Sequence, residues 1–433
     1  MAFVVQSLKS SVRNRKFLLS HIKLELFKAK KRFMKIGLIR EGKTPSDKRV
    51  ALSPSQCVSV QKQYPELCLV VQPSSVRKFT DKEYANLGIV LQEDLFDCDV
   101  LIGVKEVPEK DLIANKTYFF FSHTIKEQPY NRDLLLKMLS LNIRMIDYET
   151  LTNPKGKRLI GFGRYAGIVG CYNGFLAQGK SSGTYNLKPA HLCADRKEME
   201  LQLSKIKLDP IKIVLTGAGR VGNGILELIR LIGIKEVFKQ DFLSKSYNEP
   251  VFVHLDTLDY NERIDGALAS KSDFYANPSL YRSSFLKYAK TAEMFIAGHY
   301  YSADSPFLFT RKEAKLKEFK IRTVADVSCD IDGPVACTIM PSTILDPIYG
   351  YNTITEQVDD CTKPEVITVM AVDNLPCELP KDASVDFGEE LIKYILPCLL
   401  TNDPDKILER ATICENGALS DHYSYLENYL NKE

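Results

Sequence analysis

Short runs of β-prone residues alternate along the chain with stretches whose apolar positions recur at helical spacing. Strands are predicted over residues 35–39, 68–72, 100–104, 118–121 and 142–147, with one helix starting at Ser53-Pro54 and another near residues 81–87. A glycine-rich crossover at 157–167 runs into an apolar helix through Leu176 and reads as a hinge between domains. A charged helix with an apolar stripe is expected over 189–208. The alternation then resumes, with strands near 252–255, 294–297 and 323–327, a helix near 283–289, and an amphipathic helix over 383–396 that returns toward the first domain. Strand and helix in regular alternation predict an α/β, doubly wound architecture, and 433 residues predict two domains or three.

Residues 211–241 are the stretch around which the rest is organised. Five β-prone residues run into Gly217-Ala218-Gly219-Arg220-Val221-Gly222, after which apolar positions fall at Ile225, Leu228, Ile229 and Ile232. The glycines have a steric reason. Gly217 permits a sharp turn, Gly219 lets backbone approach a pyrophosphate, and Gly222 lets helix pack on strand, while the free N–H groups at the helix start favour anionic phosphates. Gly233 marks a helix end, and Val237 and Phe238 suggest a second strand. Asp241 stands at the roughly 20-residue spacing of a ribose-binding acid. This context predicts dinucleotide binding through Gly217, Gly219, Arg220, Val221, Gly222 and Asp241; the alternative is a tight turn with Asp241 as a solvated acid.

Composition changes the picture at one end. Residues 1–33 hold nine Lys or Arg and a single acid, Glu25, so they carry +8 and leave −5 on the remainder of a chain whose net charge is +3. A mildly acidic body gives no support to a nucleic-acid partner. The extension reads as a tail added by an upstream start, with Met34 directly before the first strand, and an organellar transit peptide is the alternative. Eleven cysteines without CxxC spacing point to reduced core thiols, hence an intracellular, cytoplasmic setting. No apolar run reaches membrane-spanning length. The acid-rich run 326–333 lacks EF-hand spacing, so no metal is expected.

Candidate chemistry gathers at strand ends, where open α/β sheets place their sites. Lys105 and His123 follow successive strands whose parallel neighbours lie about 5 Å apart, so the two side chains can share a site. Tyr148-Glu149 brings a carboxylate to the same edge, and Lys43 and Arg49 lie in the polar loop after the first strand, where a guanidinium can grip a carboxylate through two hydrogen bonds. Surface charges and a structural histidine are the alternative reading.

The segments KRVALSP, LIGVKEVP, YFFFSHTIKEQ, IRMIDYE, VADVSCDIDG, AVDNLPCELPKDAS and ATICENGALSDHYSYL resemble the lysine-forming saccharopine dehydrogenases and the lysine–2-oxoglutarate reductase domain of aminoadipic semialdehyde synthase, in a group with alanine dehydrogenase and transhydrogenase. The resemblance implies two Rossmann-like domains, a discontinuous catalytic one over 35–164 and 376–433 and a dinucleotide-binding one over 165–375, with the active site in the cleft between them. It also implies Lys105 and His123 as catalytic residues and Glu149 as the acid modulating them. Arg49, Gln128, Arg158 and Phe162 would be substrate residues, with Lys43 nearby, and Asp330 the acid beside the nicotinamide. The expected reaction is NAD-dependent interconversion of saccharopine with lysine and 2-oxoglutarate, with NADP left open, by a monomer or small homo-oligomer. An alanine dehydrogenase-like oxidoreductase and a catalytically silent dinucleotide-binding regulator are the alternatives.

Overall fold

The computed structural model describes residues 34–431, so the basic extension at 1–33 lies outside the described residues. Strands β1 (Met34–Leu38), β2 (Leu67–Val71), β3 (Val90–Leu91), β4 (Val100–Ile102), β5 (Thr117–Phe120) and β6 (Arg144–Asp147) pair in parallel, in the spatial order β6-β5-β4-β1-β2-β3. Ile36, Leu69, Ile102 and Phe119 face one core while Val70, Leu101, Tyr118 and Met145 face another. Both faces are therefore buried, which is why these strands read as unbroken apolar runs. Helix α1 (Pro54–Gln63) starts where Ser53-Pro54 predicts. The Ser53 hydroxyl accepts from Gln56 N–H while the Gln56 carboxamide oxygen accepts from Ser53 N–H at 2.9 Å, closing a capping box.

The glycine-rich crossover leads into helix α2 (Gly163–Ser182), which packs on helix α3 (Arg220–Ile232). Their approach is so close that a Cβ on Gly167 would lie 2.0 Å from the Val221 carbonyl oxygen, and one on Gly224 would lie 2.1 Å from that of Arg164. Only glycine fits at either contact.

A second sheet follows. It contains β7 (Lys212–Thr216), β8 (Lys235–Glu236) and β9 (Val251–Leu255), while β10 (Asn261–Arg263) and β11 (Tyr281–Ser283) form a separate hairpin. With β12 (Met294–Ala297), β13 (Thr323–Asp326), β14 (Ile348–Asn352), β15 (Val358–Asp359) and β16 (Val366–Met370), the order is β15-β14-β16-β13-β12-β7-β9-β8. The strands from β16 to β8 run parallel, and β14 and β15 complete an antiparallel edge.

Two local expectations give way. The helix expected over 189–208 is one short α-helix, Arg196–Leu201, between 3₁₀ turns. The strand expected at Val237-Phe238 is instead the two-residue β8, and Phe238, 84% exposed, precedes helix α4 (Lys239–Ser244), in which Asp241 sits. Helix α5 (Pro380–Glu390) spans both units, with Ala383 in the core of the second sheet and Phe387 in that of the first. Beyond it β17 (Thr412–Glu415) joins the first sheet antiparallel to β6, and β18 (Ala418–Leu419) pairs antiparallel with β17. The chain is an α/β protein of two doubly wound, Rossmann-like sheets, the first assembled from discontinuous segments.

Candidate functional site

The loops beyond β4 and β5 carry a compact set of charges. The register pairs Val100 with Thr117 and Ile102 with Phe119, and carried forward it sets Glu106, not Lys105, level with His123. His123 adopts the left-handed conformation (φ 54°), and its Nδ1 lies 2.5 Å from Glu106 Oε1. Lys43 Nζ donates to both Glu106 oxygens at 2.9 Å. Burial opposes ionisation of Glu106, but His123 and Lys43 outweigh it and bring its carboxyl down to about 2. Glu106 is thus a site residue that strand-end reasoning passed over; the signal available was its place immediately after Lys105.

Lys105, half-buried, directly precedes Glu106. Its backbone N–H donates to Glu41 Oε2 at 2.8 Å and that of Val104 to Glu41 Oε1 at 2.7 Å, which fixes the chain beyond β4. Burial, and next the Arg49 guanidinium, pull the Lys105 ammonium below its ordinary value, with Asp47 and Glu106 opposing. Glu149 N–H donates to Asp147 at 2.7 Å, one Glu149 oxygen lies 3.3 Å from Lys126 Nζ, and the other is buried without a partner among the described residues. A lysine whose ammonium is disfavoured by burial, with an imidazole held by a carboxylate at the neighbouring strand end, is equipped for proton transfer.

The two arginines differ. Arg49, 3% exposed, gives Nε and Nη2 to Asp47 at 3.0 and 2.6 Å and lies 4.1 Å from the Phe162 ring centroid. Its fork is therefore already filled, and Asp47 in turn accepts from the Cys377 thiol. Arg158 donates Nε to the Ile160 carbonyl at 3.0 Å and lies over Phe121, with no carboxylate at ion-pair distance among the described residues. Gln128 is exposed and offers its backbone carbonyl to the Tyr429 hydroxyl at 2.5 Å.

A cleft of about 810 Å³ opens over the glycine turn, lined by Gly217, Gly219, Val221, Asp256 and Asp330 and, from the crossover, by Arg158 and Phe162. Gly217 has φ 101° and abuts Gly298, and a Cβ on Gly222 would lie 1.9 Å from the Gly217 carbonyl oxygen. Gly219 faces open space. This cradle at the start of α3 suits a pyrophosphate. Phe121 connects it to the charged edge, lying 6.1 Å from Phe162 and stacked 6.4 Å from His123.

One cofactor-side expectation is placed differently. Asp241 lies in α4, outside the residues lining the cleft, and pairs with Lys245 at 3.0 Å. The acid at the end of the strand next to β7 is Asp256, because β9 and not β8 is that neighbour. Asp256 accepts from Thr257 N–H at 2.7 Å and pairs with Lys271; burial opposes these contacts, but they hold its carboxyl below the usual range. Arg220 lines the cleft as expected, and its guanidinium reaches across it to engage Glu390. Asp330 does line the cleft, and burial raises its carboxyl. His299 takes part in a hydrogen bond between Nδ1 and Thr216 Oγ1 at 2.8 Å, and burial depresses it to about 4, so the ring is neutral.

Among the described residues no cluster of His, Cys, Asp or Glu could hold a metal, and no helix is long and apolar enough to cross a membrane. All eleven cysteines are free thiols.

Residues 37–169 match the family model for the alanine dehydrogenase/PNT N-terminal domain. The chain is homologous to the mitochondrial alpha-aminoadipic semialdehyde synthase of Mus musculus, 29% identical over 444 residues that cover 90% of this chain and 47% of that protein. It is also homologous to the NAD(+), L-lysine-forming saccharopine dehydrogenase of Schizosaccharomyces pombe, 27% identical over 76% of this chain and 84% of that one. The chain thus spans about half the length of the semialdehyde synthases it matches. L-alanine dehydrogenase superposes with a TM-score of 0.62 at 15% identity, covering 92% of this chain and 99% of its own, and has the same fold. A transhydrogenase from Sinorhizobium meliloti gives 0.54 at 14%, covering 89% and 98%.

Proposed function

We propose that the protein is a nicotinamide-dependent oxidoreductase that interconverts saccharopine with L-lysine and 2-oxoglutarate. One observation carries the reading: a half-buried lysine with a depressed pKa and a histidine fixed by Glu106 stand at neighbouring strand ends, joined through Phe121, Phe162 and Arg158 to a cleft over a glycine turn. The names of the relatives, lysine-forming saccharopine dehydrogenase and aminoadipic semialdehyde synthase, support the same chemistry. In this reading residues 35–164 and 376–433 form the catalytic domain and 165–375 the dinucleotide domain.

Saccharopine is a secondary amine. A nicotinamide held over Gly217, Gly219 and Val221 would supply the hydride acceptor for the carbon next to nitrogen. Lys105 takes the amine proton as the carbon–nitrogen double bond forms, a role that its lowered pKa favours. His123, held at Nδ1 by Glu106, then removes a proton from water as its oxygen adds to the imine carbon. Lys105 returns its proton to nitrogen as the adduct forms, His123 gives the proton taken from water to nitrogen as the carbon–nitrogen bond breaks, and the hydroxyl proton leaves to solvent, which releases lysine and 2-oxoglutarate. Glu149 sets the charge around the pair, and Arg158 takes a substrate carboxylate. NAD is the assigned cofactor. Asp256 accepts hydrogen bonds from the ribose hydroxyls and repels a 2′-phosphate, and Lys271 beside it is the residue through which NADP would be admitted.

Protein supplied with lysine, 2-oxoglutarate and NADH should oxidise the nicotinamide, and turnover per KM should favour NADH over NADPH. Silence on that pair with turnover of pyruvate and ammonia moves the assignment to an alanine dehydrogenase-like reaction.

A further inference from the structure

The side chain of Arg220 starts at the first residue of α3, against the glycine turn, and ends across the cleft. Nη1 donates to both oxygens of Glu390, the last residue of α5, at 2.6 and 2.7 Å. Nη2 donates to the backbone carbonyls of Leu159 at 2.6 Å and Arg158 at 3.2 Å. Glu390 in turn accepts the N–H of Gly161 at 3.0 Å. One ion pair therefore holds the segment from residue 158 to 161 at three backbone groups. The side chain that this segment aims is that of Arg158, which lines the cleft and is the arginine left without a carboxylate, whereas Arg49 is occupied by Asp47.

We infer that Arg220 is a positioning residue acting through Arg158: it ties the substrate-side cation to the turn that receives the dinucleotide, so that occupancy of one site sets the aim of the other. The inference rests on the proposed function, which makes a diacid the ligand of Arg158. A planar guanidinium meets a carboxylate and two carbonyls in one fixed geometry that an ammonium on a flexible stem does not reproduce. Without the fork, residues 158–161 lose the two carbonyl contacts to Arg220 and keep the Leu159 N–H bond to the Leu151 carbonyl, and the incoming diacid must order Arg158 itself. That cost appears in substrate affinity and not in the chemical step. Linkage makes the coupling reciprocal, so the dinucleotide tightens diacid binding by the same factor by which the diacid tightens the dinucleotide.

Arg220→Lys, which keeps the charge opposite Glu390, is the decisive variant. It should raise the KM for 2-oxoglutarate about 5- to 100-fold while leaving kcat within about twofold. Calorimetric titration of 2-oxoglutarate with and without NAD should show the wild-type coupling shrinking in the variant. Glu390→Gln should act in the same direction, and the double variant should be no worse than the more damaged single one, because both substitutions break one network. A rise in dinucleotide Kd alone would make Arg220 a phosphate ligand and overturn the inference. A lowered melting temperature with kcat and every KM damaged together would overturn it as well. If wild-type protein is silent on lysine and 2-oxoglutarate, the functional reading falls and the inference with it; wild-type turnover with an unchanged KM in Arg220→Lys sinks the inference alone.

Discussion

The two sheets end in opposite ways at their carboxyl edges. Beyond β4 and β5 the backbone is crowded with side chains that hold one another, Glu41 on the N–H groups of Val104 and Lys105, Glu106 on His123 and Lys43, Asp47 on Arg49. Beyond β7 the side chains are missing, and Gly217, Gly219 and Gly222 leave bare backbone at the start of α3. The difference follows from what each edge has to do. Proton transfer needs groups fixed within fractions of an ångström, so each is constrained by a neighbour. Phosphate binding by backbone N–H groups needs space, so side chains are removed.

The comparison breaks first at the charged edge. Lys105→Met should lower turnover by about 10²–10⁴-fold, and His123→Gln by a similar factor, with dinucleotide binding unchanged in calorimetry. If both variants retain wild-type turnover, the crowded edge is not the seat of proton transfer.

The glycine edge should instead respond to acid. A buried histidine whose pKa is depressed on folding contributes its full stability above the ordinary value near 6.5 and loses it as pH falls toward about 4. His299 beside β7 therefore costs roughly 3 kcal/mol once it must charge, and melting temperatures taken between pH 7 and pH 4.5 should fall less steeply for His299→Gln than for wild type.

Two glycines of the same turn should separate stability from affinity. Gly222→Ala forces a Cβ onto the Gly217 carbonyl and should destabilise by about 1–3 kcal/mol, read from denaturant unfolding. Gly219→Ala meets nothing in the protein, so it should melt as wild type does while binding dinucleotide about tenfold more weakly. The smallest effect expected is at the ribose acid. Asp256→Asn should shift the ratio of NAD to NADP turnover per KM by about tenfold and Asp241→Asn should not, and the reverse result would return the role to α4.

What the sequence made legible was local. Period and punctuation located β1, β2, β4, β5, β6, β7, β9, β12 and β13, the Ser53 cap and the glycine turn, because each depends on residues within a few positions of one another, and passed over β14, β16 and β17. What it left dark needed sheet order or register. Glu106 meets His123 only because β4 and β5 pair with Val100 opposite Thr117, an offset that no periodicity contains. Asp256 takes the place expected of Asp241 because β9 lies between β7 and β8. The Asp47–Arg49 pair, two residues apart in one loop, was open to sequence reading, yet spacing alone does not say whether an arginine turns inward to its neighbour or outward to a ligand.

The return of β17 to the edge of β6 also sets an order of events during synthesis. Residues from 212 to 370 complete their sheet from one continuous stretch, whereas the first sheet waits with β6 as an open edge until residues 412–419 have been made. Partly made chains therefore carry β6 with one edge unpaired while the sheet synthesised later already has all of its strands, and such an edge is a template for pairing with another chain until the last strands arrive.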